Sequence, residues 1–256
     1  MTEISAKAVM DLRDKTGVAM MACKKALVEA GGDEEKAIEI LRKRGEAKSG
    51  EKADRATGEG AIAVKIGGGK AAMASVRCET DFVGRNEDFR ALATKVASLV
   101  FENGQTGWSE AEGLVKEAVN TLGENIQLGE WKQVEAPVLG SYVHTNGKIG
   151  VLIGLDGGSE EQAKDVAMHA AAMNPKVISP TDVTDELVAK EKEIWTEQLK
   201  NEGKPANIID NILKGKEKKF REESALISQA FVKDSDKTVG GYLGGVKVVG
   251  YVRMGI

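Results

Sequence analysis

Glu79-Thr80-Asp81-Phe82-Val83-Gly84-Arg85-Asn86-Glu87-Asp88-Phe89 joins an apolar alternating run to a capped amphipathic helix, and the folds on both sides of it follow from that reading. Asp81 and Phe82 stand together just past a strand pattern. Phe82 is one of five phenylalanines in a chain that is 4% aromatic, and so poor a chain seldom leaves one in a connection. Asn86 is a good helix N-cap, and Glu87 and Asp88 fall in the first turn, where carboxylates interact favourably with the helix dipole. The stretch reads as a short loop that presents Asp81 and Phe82 and ends where the helix begins.

Upstream, residues 61–66 and 71–79 alternate about Gly67-Gly68-Gly69-Lys70, the pattern of a β-hairpin. The glycines do not make a phosphate loop. That motif needs Gly-x-x-x-x-Gly-Lys-Ser/Thr and a following helix, whereas alanine follows Lys70 and a strand follows the turn. Downstream, Phe89, Leu92, Ala93, Val96 and Val100 share one helical face that can cover the hairpin. Ser109 with Glu112 predicts a capping box for a second helix, flanked by Trp108 and Trp131 as packing residues.

The arrangement recurs. Residues 138–144 and 149–155 flank Asn146-Gly147, one of the strongest hairpin signals. Ser159-Glu160-Glu161-Gln162 is a capping box, followed by a face of Ala163, Val166, Ala167, Ala170 and Met173. His169 lies one residue off that face, where a lone histidine is ordinarily structural or solvated. Residues 246–254 alternate as a last strand returning to the second sheet.

The N-terminal part predicts three short helices: from Ser5 to Thr16 with Gly17 as the stop, from about 19 to 30 before Gly31-Gly32, and from Asp33 to Arg44 and Gly45. Met20 and Met21 read most simply as core residues, although adjacent positions cannot both face inward on one helix. Residues 46–60 carry no sustained apolar face and read as a solvated linker. Residues 185–233 are charged and mostly helical, broken at Gly203-Lys204-Pro205, which describes a helical hairpin.

Composition narrows the function. A formal charge of -4 argues against a protein that coats nucleic acid. No apolar run approaches a membrane span, and Met1-Thr2-Glu3-Ile4 lacks the regions of a signal peptide, so a cytoplasmic protein is expected. Cys23 and Cys78 read as small buried hydrophobes. Two histidines, 144 and 169, leave little for metal binding or Cys–His catalysis. No cofactor, catalytic residue or metal ligand is expected.

Residues 80–89 closely resemble the Thr-Asp-Phe-Val-x-Arg-Asn-Glu-x-Phe signature of the bacterial elongation factor Ts family, the nucleotide-exchange factors for elongation factor Tu. Position 84 is glycine where alanine is commoner, which is expected to loosen the loop slightly. Leu12 to Leu27, with Leu-Arg-x-x-Thr-Gly-x-x-Met-Met-x-Cys-Lys-Lys-Ala-Leu, and His169 to Pro175, with His-x-Ala-Ala-x-x-Pro, resemble the same family. The resemblance implies an α+β chain: a three-helix ubiquitin-associated-like domain (1–45), a linker (46–60), and two related subdomains with antiparallel sheets and packed helices (61–139 and 140–256). The second carries a protruding helical hairpin at about 185–230, which in some members supports dimerisation. Homodimerisation through it is left open. Some members also carry a further C-terminal helix, which this sequence is expected to lack.

The resemblance further implies exchange by binding, without covalent chemistry. Thr80, Asp81, Phe82 and Val83 would push into elongation factor Tu near the Mg²⁺ that holds GDP. Val18, Ala19, Met20, Met21 and His169 would hold other parts of its surface. Neither nucleic acid nor a membrane is implied as a direct partner. Two rivals are a hydrolase using Asp81 or Cys78 with His169, which lacks a nucleophile-base-orienter pattern, and a peptide-binding adaptor, which leaves the central stretch unexplained.

Overall fold

The computed structural model describes residues 4–18, 20–52 and 54–256. Helix α1 (Ala6–Thr16) starts where Ser5 Oγ accepts from the Ala8 N–H, and Gly17 ends it. Helices α2 (Met20–Glu29) and α3 (Glu34–Lys52) come next, with Asp33 Oδ1 accepting from Lys36 N at the start of α3. Val9, Leu12, Cys23, Ala26, Leu27, Ala37 and Leu41 form the small core between them.

Helix α3 continues past Gly45 to Lys52, where the sequence predicts a linker. Glu46, Ala47, Lys48 and Glu51 are good helix formers and carry the helix through Gly45 and Gly50, so a sequence without an apolar period is not a sequence without helix. The end of α3 and the chain beyond it are tied down: Lys52 Nζ donates to Gly123 O at 2.5 Å, Asn125 Nδ2 donates to Arg55 O at 2.7 Å, and Thr57 Oγ1 donates to Gln127 Oε1 at 3.3 Å.

Strands β1 (Glu59–Gly67) and β2 (Lys70–Cys78) form the expected hairpin. Gly68 and Gly69 have φ of 56° and 74°, left-handed conformations that the two-residue turn demands and glycine adopts without strain. Beyond β2 come α4 (Asp81–Arg85), α5 (Glu87–Asn103) and α6 (Gln105–Leu122). The predicted capping box is absent. Helix α6 begins one turn earlier, and Ser109 lies inside it with Oγ donating to Gln105 O. Helices α5 and α6 cross closely at Gly107, where a Cβ would fall 2.1 Å from Leu99 O.

Strand β3 (Gln127–Glu135) then pairs with β2. It escapes the sequence because Gly129, Glu130 and Lys132 break its apolar alternation and Trp131 reads as a helix flank. Trp108 lies within α6 and Trp131 within β3, both packed on the same core.

The second half repeats this plan. Strands β4 (Val138–Val143) and β5 (Ile149–Leu155) form a hairpin, and α7 (Glu160–Met173) starts on the predicted Ser159/Gln162 capping box. Helices α8 (Asp185–Asn201) and α9 (Ala206–Ser224) make the helical hairpin. Arg221 locks its base, donating to Val183 O and Asp185 Oδ1, while Trp195 and Phe220 meet edge to face between the arms. Strands β6 (Ala230–Phe231) and β7 (Asp234–Thr238) and helix α10 (Val239–Leu243), which the sequence did not reveal, precede β8 (Val248–Gly255), which pairs with β5.

The sheet orders are β1-β2-β3 and β4-β5-β8, so each places the second strand of its hairpin in the middle. Alternation along β2 sends Ala72, Ala74, Val76 and Cys78 against α5 and α6. Ala71 and Met73 point the other way and meet Leu139, Leu152 and Met254 of the second sheet. The resulting layers run helix, sheet, sheet, helix, an α+β architecture whose two sheets share a core. Among the described residues no helix is long and apolar enough to cross a membrane.

Candidate partner-binding site

The stretch after β2 is a turn of helix rather than a loop. Thr80, in extended conformation, caps α4, with Oγ1 accepting from Val83 N at 3.4 Å. Asn86 ends α4 with its N–H on Val83 O and starts α5 with Oδ1, which accepts from Asp88 N at 2.8 Å and Phe89 N at 3.3 Å. A single helical turn is too short to leave a period in the sequence.

Seated on Val83 and Gly84, α4 packs one side and presents the other. Val83 touches the core of the first sheet, and Gly84 is buried over Gly60 and Cys78. A methyl at 84 would lie 3.4 Å from Gly60 O and 3.6 Å from Cys78 Sγ, ordinary contact, so alanine would fill this seat and glycine leaves it slightly open. Phe82 points away and is 83% exposed. Asp81 Oδ2 pairs with Arg85 Nη2 at 2.9 Å, an exposed pair of little energetic weight. Beside the turn runs an open groove of about 800 Å³, lined by Glu59, Asp81, Arg90 and Lys148 among others.

The foot of α4 is held by residues the sequence did not single out. Glu124 Oε2 accepts from Glu79 N at 3.1 Å and Thr80 N at 3.0 Å, and Thr80 Oγ1 donates to Glu124 Oε1 at 2.6 Å. In return, Glu79 Oε1 accepts from Asn125 N at 2.6 Å. Glutamates at a strand end and in a helix-to-strand connection have no motif that would reveal them.

At the α1–α2 turn, Val18 is half-buried against the three-helix core, and Ala19 lies outside the described residues. Met20 and Met21 are 44% and 64% exposed, so the simpler reading that buries both does not hold and both side chains are accessible, as a surface contact requires. Their helix spends its inward positions on Cys23, Ala26 and Leu27.

On α7 the expected facing is exchanged. His169 is fully buried, whereas Met173, placed on the buried face by periodicity, is 49% exposed. Three residues from Val166, His169 still falls on the inner side. Met173 is the helix's last residue. His169 Nδ1 accepts from Val232 N at 3.2 Å, so the ring proton sits on Nε2 and is donated to Gln229 Oε1 at 3.0 Å. Burial pulls its pKa below the ordinary 6.5, with the Gln229 bond opposing. Both nitrogens are engaged in holding the segment after α9 against α7.

Cys78 and His169 belong to different halves of the molecule. Burial, helped by the charges of Glu124 and Glu59, pushes the Cys78 thiol up to about 12, which leaves almost no thiolate at neutral pH. The two do not constitute a nucleophile and its base.

A family model described as elongation factor TS matches residues 79–256, beginning at Glu79 of this site. Elongation factor Ts of Hydrogenobaculum sp. (strain Y04AAS1) is 43% identical over 270 residues, covering 99% of this chain and 98% of its own. Elongation factor Ts of Hahella chejuensis is 44% identical over 262 residues, covering 99% and 92%. Elongation factor Ts of Francisella tularensis subsp. novicida is 44% identical over 269 residues, covering 100% and 93%.

Proposed function

The chain belongs to the elongation factor Ts family of translation elongation factors, and from that premise we propose that it releases GDP from elongation factor Tu by binding, without covalent chemistry. The observation that carries this reading is Phe82, 83% exposed on a helical turn whose opposite side is anchored. Fully burying such a side chain is worth roughly 1.5–3 kcal/mol, which the free protein forgoes and a complex recovers. A partner GTPase holds GDP through a phosphate loop and a Mg²⁺ whose octahedral coordination tolerates little distortion. Pushed in beside that ion, Phe82 raises the energy of the GDP-bound state, and the neighbouring Asp81 carboxylate disturbs the charge balance around the metal.

Thr80 and Val83 serve this contact from behind, as cap and seat of α4. Val18, Met20 and Met21 serve a second contact, with Met21 lying beside Lys24 and Lys25, and Ala19 belongs to the same contact. Near His169 the large apolar side chain left exposed is Met173, so His169 supports a third contact from beneath. The exposed Leu187 and Ile194 of α8 and Ile208 of α9 leave the hairpin apolar surface for a second copy of the chain.

Labelled GDP bound to elongation factor Tu provides the test. Its release is expected to quicken with chain concentration and then saturate, with no substrate turned over by the chain itself. Unchanged release at concentrations where the two proteins co-elute would remove the proposal.

A further inference from the structure

We propose that Glu124, on the connection between α6 and β3, is a positioning residue that fixes the direction in which α4 presents Phe82; this rests on the exchange reading above. A five-residue helix cannot hold its own shape, since one turn fixes several dihedrals for very few hydrogen bonds. Its inward contacts, Val83 and Gly84, act on its middle and end. The first half hangs on Thr80, and Thr80 hangs on Glu124.

The chemistry of that attachment is directional. A threonine hydroxyl has one proton and two lone pairs. Glu124 Oε1 takes the proton at 2.6 Å, which turns a lone pair of Oγ1 toward the Val83 N–H and makes Thr80 a cap. Oε2 takes the N–H groups of Glu79 and Thr80, so the peptide planes leading into α4 are fixed as well. Three bonds to one carboxylate are charge-assisted and stronger than neutral ones. Glu79 returns the bond through Asn125 N, so residues 79–80 and 124–125 are stapled in both directions. Arg55 Nη1 reaches Glu79 Oε1 at 3.5 Å from the segment after α3.

A misdirected wedge differs from a missing one. The complex still forms through the other contacts, but the Phe82 ring arrives displaced, and displacements near 1 Å cost roughly a hundredfold where geometry does the work. Glu124→Ala removes all three bonds. Glu124→Gln keeps an oxygen for the two N–H groups and turns a donor toward Thr80 Oγ1, so its loss is smaller.

The experiment measures stimulated GDP release from elongation factor Tu over a range of concentrations of the full chain, alongside amide hydrogen exchange in the free chain. Glu124→Ala is expected to lower the saturating rate roughly tenfold to a hundredfold, with Glu124→Gln in between and the half-saturating concentration little changed. In the free chain, the amides of Gly84 and Asn86, which close α4 on Thr80 O and Val83 O, should exchange faster in both variants. The β2–β3 amides should not. A full saturating rate in folded Glu124→Gln and Glu124→Ala, a loss confined to half-saturation, or unchanged protection of Gly84 and Asn86 would overturn the role of Glu124. If the parent chain itself stimulates no release, the exchange reading fails, and the hydrogen-exchange comparison alone still decides whether Glu124 sets α4. Should Glu124→Ala fail to fold, Glu124→Gln carries both measurements.

Discussion

Phe82→Ala is expected to slow stimulated GDP release from elongation factor Tu by roughly 30- to 900-fold, the equivalent of about 2–4 kcal/mol for a buried anchor at an interface. The same variant should melt within about 2 °C of the parent, because surface substitutions away from special features stay within about 0.5 kcal/mol. The two readouts separate the possible homes of this ring. Folded back beside Phe89, it would cost about 3–5 kcal/mol on truncation. At 83% exposure it has no such contacts to lose. Melting temperature and stimulated release, measured on one preparation, check both halves, and full release by a folded Phe82→Ala protein would remove the wedge.

The opposite pattern is expected of His169→Ala. Removing the ring opens a cavity and strips the Val232 N–H and Gln229 Oε1 of their partner. Together these should cost about 3–4 kcal/mol, which lowers Tm by roughly 6–16 °C in a chain of this size. Thermal unfolding checks this, and a Tm unchanged by the substitution would show that the ring is not the tie described here.

The pH dependence carries the same signature. His169 has a pKa below the ordinary 6.5 in the fold, so as pH falls through 6.5 the unfolded chain takes up the proton first. The stabilisation held by the neutral ring is complete above about pH 6.5. It is lost as pH falls toward the folded pKa, then levels off. His169→Gln should flatten that part of the Tm profile.

Capped helices and glycine turns were legible in the sequence because each is written locally. Ser5, Asn86 and Ser159 cap where their side chains predict, and Gly68-Gly69 turns in the left-handed conformation that glycine favours. What stayed hidden depends on partners distant in sequence. Strand β3 is recognised as a strand by pairing with β2, not by its own interrupted alternation. Helix α3 outruns its apolar face because Glu46, Ala47 and Lys48 favour helix where no apolar period marks one.

The site was legible as a motif but not as a shape. Asp81 and Phe82 could be singled out, yet the turn of helix that presents them is capped by Thr80, whose hydroxyl and N–H are bound by Glu124, forty residues downstream of Gly84. The exchange of His169 and Met173 has a similar cause. Periodicity places both near one face, but where the packed segment covers the helix decides which is buried; the first part of that segment reads in the sequence as the end of the helical hairpin, to about 230–233, whereas α9 stops at Ser224 and a turn and a short strand follow.

Linkage offers the most direct measurement of the central claim, that the chain acts by opposing GDP on one partner. If the chain weakens GDP binding by some factor, GDP must weaken the chain's binding by the same factor. The affinity of the full chain for elongation factor Tu should therefore be measured with GDP absent and at saturation. The predicted result is an affinity lower in GDP by on the order of 10- to 100-fold. Equal affinity in both conditions would contradict it.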